Sequence, residues 1–148
     1  TANIARSPMA EALFNQRMRE KGWQEAYRAE SAATWGMEGL PAASDGQEVM
    51  LARGLDLSAH RSRVVSPEII QGADLILAME QGHVEALRFE FRSKAGAIYL
   101  LSEMAGQSFD IDDPYRRGLD RYQATARELE ELLEKGMARI LELAGEND

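Results

Sequence analysis

The sequence predicts an α/β domain with a small parallel sheet, and three observations carry that prediction. Short apolar runs alternate with segments of helical period along most of the chain. Residues 74–79, Asp-Leu-Ile-Leu-Ala-Met, are apolar without interruption after the opening Asp74, as in a strand buried on both faces of a parallel sheet. A long stripe from Leu119 to Leu143 closes the chain as a helix. Strands that alternate with helices pair in parallel through right-handed crossovers, and ligands of such sheets bind at the carboxyl ends of the strands.

The elements follow in order. A helix is expected from Ser7 to about Lys21, with Ser7 as N-cap and Pro8 at the first helical position, where its missing N–H costs nothing. Met9, Leu13, Phe14 and Met18 form its inward stripe, and Gly22 ends it. Tyr27–Ala33 reads as a short strand. Ser44-Asp45-Gly46-Gln47 has the spacing of a capping box for a helix reaching Arg53, with Gly54 behind it. Ser66-Pro67-Glu68 opens a shorter helix. The strand at 74–79 is followed by a helix over Gln81–Phe91 and a second apolar strand over Ala95–Leu101. Ser102–Gly118 is a long polar loop, and loops of that length inside compact domains usually carry function. In the closing helix Tyr122, Ala126, Leu129, Leu133, Met137 and Ile140 share one side.

Length and composition narrow the function. The 148 residues suit a single domain, 1–148, without repeat or linker, and 45 % hydrophobic against 28 % charged residues is the balance of a globule with a core. A net charge of −8 argues against nucleic acid or an anionic membrane as partner, so an anionic substrate would need a local positive site. No apolar run approaches the roughly 20 residues of a membrane span, and no secretory signal is visible, so the cytoplasm is the expected location. There is no cysteine, and the two histidines, His60 and His83, are too few for a histidine-rich metal centre; neither metal nor cofactor is expected.

That positive site is sought in the first eight residues, Thr1-Ala2-Asn3-Ile4-Ala5-Arg6-Ser7-Pro8. A loop entering a helix N-terminus presents unpaired backbone N–H groups and the positive end of the helix dipole. Small residues (Thr1, Ala2, Ala5) let the backbone curl closely around an anion, and Arg6 can grip two phosphate oxygens with its planar fork. The same residues also read as an ordinary capped helix start with a solvated Arg6.

The loop resembles the signature of the low-molecular-weight protein tyrosine phosphatases: a cysteine, five residues, then arginine, serine and proline. The similarity continues through Met9-Ala10-Glu11-Ala12-Leu13-Phe14, Glu30-Ser31-Ala32, residues 73–79 and Asp113-Pro114-Tyr115. The family's cysteine directly precedes the residue matching Thr1, and the sequence begins at Thr1. The resemblance therefore implies a three-layer α/β/α, Rossmann-like domain of about four parallel strands. Its first strand and nucleophilic cysteine are expected to be missing from this sequence, which as it stands would be inactive. It implies hydrolysis of phosphotyrosine in a protein, or of a small aryl phosphate, through a phosphocysteine, with inorganic phosphate as product and no metal.

Residue by residue, the resemblance assigns Arg6 and the loop amides of Thr1, Ala2, Ile4 and Ala5 to the phosphoryl oxygens. Ser7 looks like the hydroxyl that stabilises the thiolate as leaving group, and Asn3 like the brace within the loop. His60 matches a histidine bonded into that network; alternatively it is a partly exposed loop residue. Asp113, favoured over Asp112 because it precedes Pro114, is the expected general acid and then base, the competing reading being a solvated acidic turn. Trp35 and Tyr115 are expected to wall the cleft around a phenyl ring; otherwise Trp35 is a core tryptophan.

Two departures matter. Many relatives carry a second cysteine just before the loop arginine, where this chain has Ala5, so it would lack that protective disulfide. Bacterial phosphoarginine phosphatases carry a threonine matching Ile4, and an apolar residue there favours tyrosine. The arginine phosphatase, and a non-catalytic phosphoprotein-binding module should the cysteine be truly absent, stand as alternatives. Arsenate reductases of this architecture need further cysteines and are set aside.

Overall fold

The structure is a computed structural model that describes residues 2–145. Its contacts group into two compact units: residues up to Val64 with Asp112–Glu130, and Val65–Ile111 with the chain from Glu131 onward.

In the first unit α1 spans Arg6–Lys21. Its stripe is buried as expected, with Met9, Leu13, Phe14 and Met18 all inward. Full burial of each such side chain contributes about 1.5–3 kcal/mol. Gly22 at φ 74° takes the left-handed conformation, and the Trp23 N–H reaches Met18 O at 2.8 Å, a Schellman ending. The start differs from expectation. The helix begins at Arg6, so Ser7 lies inside the first turn and does not cap it; no side chain caps this end. The Ser7 hydroxyl instead accepts from Asn3, and Pro8 still occupies a turn whose N–H groups have no helical partner.

Residues 27–33 form no strand; a single parallel bridge, Ala33 to Val64, is all the pairing there. Side chains take the backbone groups that a ladder would use. Asn15 accepts from the Ala29 N–H at 2.8 Å and donates to Ala29 O at 3.0 Å, and Arg63 Nε donates to Ser31 O. Helix α2 covers Ser44–Leu51, shorter than expected, and its capping box does not form. Gln47 Nε2 donates to Ala42 O instead, and Gly54 at φ 78° ends the turn that follows. Helix α5, Leu119–Gly145, begins in this unit. Its Tyr122, Ala126 and Leu129 are buried, and Tyr122 packs so close to α2 that a Cβ on Gly46 would stand 3.3 Å from its Cε1. An Arg53–Glu130 ion pair at 2.7 Å ties the end of α2 to α5.

In the second unit Ser66 caps α3, Pro67–Gln71, accepting from the Ile69 N–H. Strands β1, Ile76–Ala78, and β2, Ile98–Leu100, pair in parallel with Ile76 opposite Ile98, and α4, Gln81–Glu90, connects them. This is the βαβ unit that the alternating pattern predicts. Ile70, Ala78, Val84, Leu87, Ile98 and Leu100 make its core. Both strands are shorter than expected, and 3₁₀ turns over Arg92–Ala97 and Leu101–Ala105 flank β2. Lys94 Nζ, donating to Ala73 O at 2.8 Å, holds the first of these turns. The second turn packs on the later part of α5, where Gly136 lies against Met104. Among the described residues the ladder has two strands. No described helix is long and apolar enough to cross a membrane.

Candidate active site

The loop ahead of α1 is built around one asparagine. Asn3 sits at φ 63°, a left-handed conformation that asparagine tolerates better than most residues, and is 1 % exposed. Its Nδ2 donates to Ser7 Oγ and to Ser31 Oγ, both at 2.9 Å. Its Oδ1 accepts from the Arg63 N–H at 3.0 Å, and its carbonyl accepts from His60 Nε2 at 2.7 Å. The Ser31 hydroxyl in turn donates to Glu11 Oε1 at 2.8 Å. One side chain thus satisfies donors and acceptors from three segments, which fixes the curl of the loop. From the other side the Ala43 N–H holds Ile4 O at 2.8 Å.

Arg6, the first residue of α1, is 1 % exposed, so the solvated alternative does not hold. Arg6 opens α1, the helix end whose dipole attracts anions. Ala5 is buried, Ala2 and Ile4 are half-buried, and Thr1 lies outside the described residues. A Cβ at Gly36 would stand 3.6 Å from Ala2, so residues 34–36 run beside the loop. Trp35 there is 66 % exposed and is not a core residue.

His60 reaches the loop from a turn set by Asp56, whose carboxylate accepts from the Ser58 N–H at 2.8 Å. The bonds from the Ser58 backbone and hydroxyl hold the Asp56 carboxyl below its usual range. The His60 N–H then closes on Leu57 O.

Asp113 and Tyr115 form a second local group before α5. Asp113 Oδ1 accepts from the Tyr115 N–H at 3.0 Å, an Asx turn that leaves Oδ2 open. The Tyr115 ring is partly exposed, with the Arg116 guanidinium 5.2 Å from its centroid. The structure therefore joins Asn3, Ser7 and His60 by hydrogen bonds, puts Arg6 in the same turn as Ser7, and sets Asp113 with Tyr115. Among the described residues no cluster of three or more His, Asp or Glu side chains could share a metal ion.

Three members of the network escape a reading of the sequence alone. Glu11 and Ser31 carry a signal, since Glu11 lies one turn after Ser7 on the same face of α1 and Ser31 falls in a stretch of similarity. Arg63 carries none, because it acts through its backbone N–H as well as its side chain. Tyr122 reads as an apolar stripe residue, yet its hydroxyl is buried with no hydrogen-bond partner. Burial, then the charges of Asp113, Asp45 and Tyr115, push its phenol from the ordinary 10 up to about 12.

Residues 1–144 match the model of the low molecular weight phosphotyrosine protein phosphatases. The chain belongs to that family. It is 33 % identical over 135 residues to the probable low molecular weight protein-tyrosine-phosphatase EpsP of Ralstonia nicotianae, covering 91 % of this chain and 85 % of the relative. The solved low molecular weight protein tyrosine phosphatase of T. tengcongensis superposes with a TM-score of 0.89 at 37 % identity, over 94 % of each chain. A YwlE arginine phosphatase, solved as a cysteine-to-serine mutant with a phosphorylated active site serine, superposes with a TM-score of 0.88 at 31 % identity, over 96 % of this chain and 91 % of the other. The fold is thus the α/β, Rossmann-like fold of these phosphatases.

Proposed function

We propose that the native protein hydrolyses phosphotyrosine through a phosphocysteine, its nucleophile being the cysteine that the family motif puts directly ahead of Thr1. The buried Arg6 at the head of α1, beside a loop already curled around Asn3, is the observation that carries this reading. The amides of Thr1, Ala2, Ile4 and Ala5 with Arg6 hold the three equatorial oxygens, and the same dipole keeps the thiol ionised. The thiolate attacks phosphorus, the aryl oxygen departs, and Asp113 gives it a proton. Asp113 then takes a proton from the attacking water, and the thiolate leaves with Ser7 donating to the sulfur. Asn3 and His60 keep the loop in shape, while Trp35 and Tyr115 grip the ring. The solved arginine phosphatase with its phosphorylated active site serine supports a covalent intermediate at the nucleophile's position. The products are inorganic phosphate and the freed tyrosine side chain, in one domain of the cytoplasm, without metal, nucleic acid or membrane.

Phosphoarginine is the second reading, favoured by the likeness to arginine phosphatases. Ile4 weighs against it, since an apolar side chain gives a guanidinium-linked phosphate no hydrogen-bond partner. The full-length native chain, sequenced ahead of Thr1 and assayed on phosphotyrosine and phosphoarginine peptides, tests both. Turnover of phosphotyrosine that collapses in Asp113→Ala supports the reading. A preference for phosphoarginine overturns it, and a residue other than cysteine ahead of Thr1, with phosphate bound and not cleaved, makes the protein a binding module.

A further inference from the structure

Asp113 borders a cleft that holds two arginines for which the chemistry above has no use. Asp112, Asp113, Arg117, Arg121, Thr125 and Glu128 line it, around a volume of about 80 Å³. Arg121, Thr125 and Glu128 recur at helical spacing and so share one face of α5. Arg117 joins them through a turn in which its N–H bonds to Pro114 O at 3.0 Å. Both arginines are exposed, and neither guanidinium has a hydrogen bond or ion pair with a described residue. Helix stability does not account for them, since a cation near a helix N-terminus opposes the dipole. Positive charge is also scarce in a chain of net −8.

The charge balance of the cleft favours an anion. Glu128 is already engaged within the protein, and Asp113 is neutral while it holds the proton for the leaving group. Two guanidiniums then stand over one ionised carboxylate, that of Asp112.

We propose that Arg117 and Arg121 are specificity-determining residues: they bind a carboxylate side chain that flanks the phosphorylated residue of a protein substrate. The inference rests on Asp113 as general acid, the reading given above. Asp113 then borders both the reacting group and the cleft, so a substrate residue close to the ring can reach the two guanidiniums. Each guanidinium meets a carboxylate with a planar pair of N–H donors. The contact adds affinity and speeds encounter, and it leaves the bond-breaking step unchanged.

The test is made on the full-length native chain with phosphotyrosine peptides that carry Glu, Gln or Lys at each flanking position in turn. Para-nitrophenyl phosphate is the reference substrate, having no flanking residues. At the preferred position kcat/KM is expected to be about tenfold higher for Glu than for Gln, the worth of one charge-assisted pair. Arg117→Ala combined with Arg121→Ala is expected to bring that ratio to about one through KM, with turnover of the small ester within about twofold of wild type. Arg121→Glu is expected to turn the preference toward Lys, a gain that misfolding cannot produce. A ratio near one in the native chain, or a ratio that these variants do not move, overturns the proposal. An equal loss on peptides and on the small ester does so too. If the chain cleaves no ester, peptide binding is read instead. An arginine-dependent preference for Glu then keeps the cleft assignment and removes the phosphatase reading, and no preference overturns both.

Discussion

Asn3 donates to the Ser7 hydroxyl at 2.9 Å across the turn in which the chain enters α1, and does so from a left-handed backbone. The bond spans four residues and replaces the cap that a serine at a helix start ordinarily supplies. Ser7 is thereby turned into the loop instead of onto its own helix.

Substitution at Asn3 separates the backbone requirement from the side-chain one. Asn3→Gly keeps the left-handed conformation and loses the bonds to Ser7, Ser31 and the Arg63 N–H. Leaving such buried groups unmatched costs roughly 1–3 kcal/mol. Asn3→Ala adds the strain of a left-handed alanine, about 1–2 kcal/mol. The expected order of Tm is wild type, then glycine, then alanine, by differential scanning calorimetry; equal melts for the two variants would refute the backbone term.

His60→Ala removes the donor that reaches Asn3 O at 2.7 Å. The loop keeps its side-chain brace and loses a backbone one. Inorganic phosphate is expected to bind about five- to tenfold more weakly by calorimetry, the equivalent of one hydrogen bond of roughly 1–1.5 kcal/mol.

Tyr122 makes stability depend on alkaline pH. Its folded phenol is raised from 10 to about 12, so the proton stays bound in the folded chain after the unfolded chain has released it. The unfolded state then binds fewer protons, and stability falls as pH rises. The contribution is complete below pH 10 and is lost between 10 and about 12. Urea midpoints across that interval should fall more steeply in wild type than in Tyr122→Phe; parallel curves would exclude this phenol as the cause.

Gly136→Ala tests packing against helix propensity. Alanine is worth up to about 1 kcal/mol over glycine inside a helix. Here its Cβ would stand 2.7 Å from Met104 Cβ and 3.0 Å from the Met104 carbonyl carbon, an overlap that backbone must relieve. Overpacking of this kind costs roughly 1–3 kcal/mol, so the variant is expected to be less stable than wild type by urea titration.

What the sequence made legible was what local chemistry decides. The stripe Met9–Leu13–Phe14–Met18, the Gly22 ending, the Ser66 cap and the β1–α4–β2 order all follow from period, cap and turn residues, and all are observed. The misreadings lie where a distant side chain outcompetes the local option. Ser7 is drawn off its capping role by Asn3, and residues 27–33 give their backbone groups to Asn15 and Arg63. Gln47 likewise turns to Ala42 O and leaves the capping box unmade. At the site, Asn3 is hydrogen-bonded to both Ser7 and His60. The isolated hydroxyl of Tyr122 was hidden, because an aromatic at helical spacing looks apolar until its surroundings are known.

The curl of the loop also has a thermodynamic consequence for its ligand. Every side-chain polar atom of Asn3 is spent within the protein, so the loop proposed to hold phosphate is braced before any anion arrives. An incoming phosphate then loses its own hydration and freedom of tumbling, while the chain around it surrenders almost none. Tetrahedral oxyanions of the right radius should therefore compete for the cradle by size and charge, largely indifferent to whatever they are attached to.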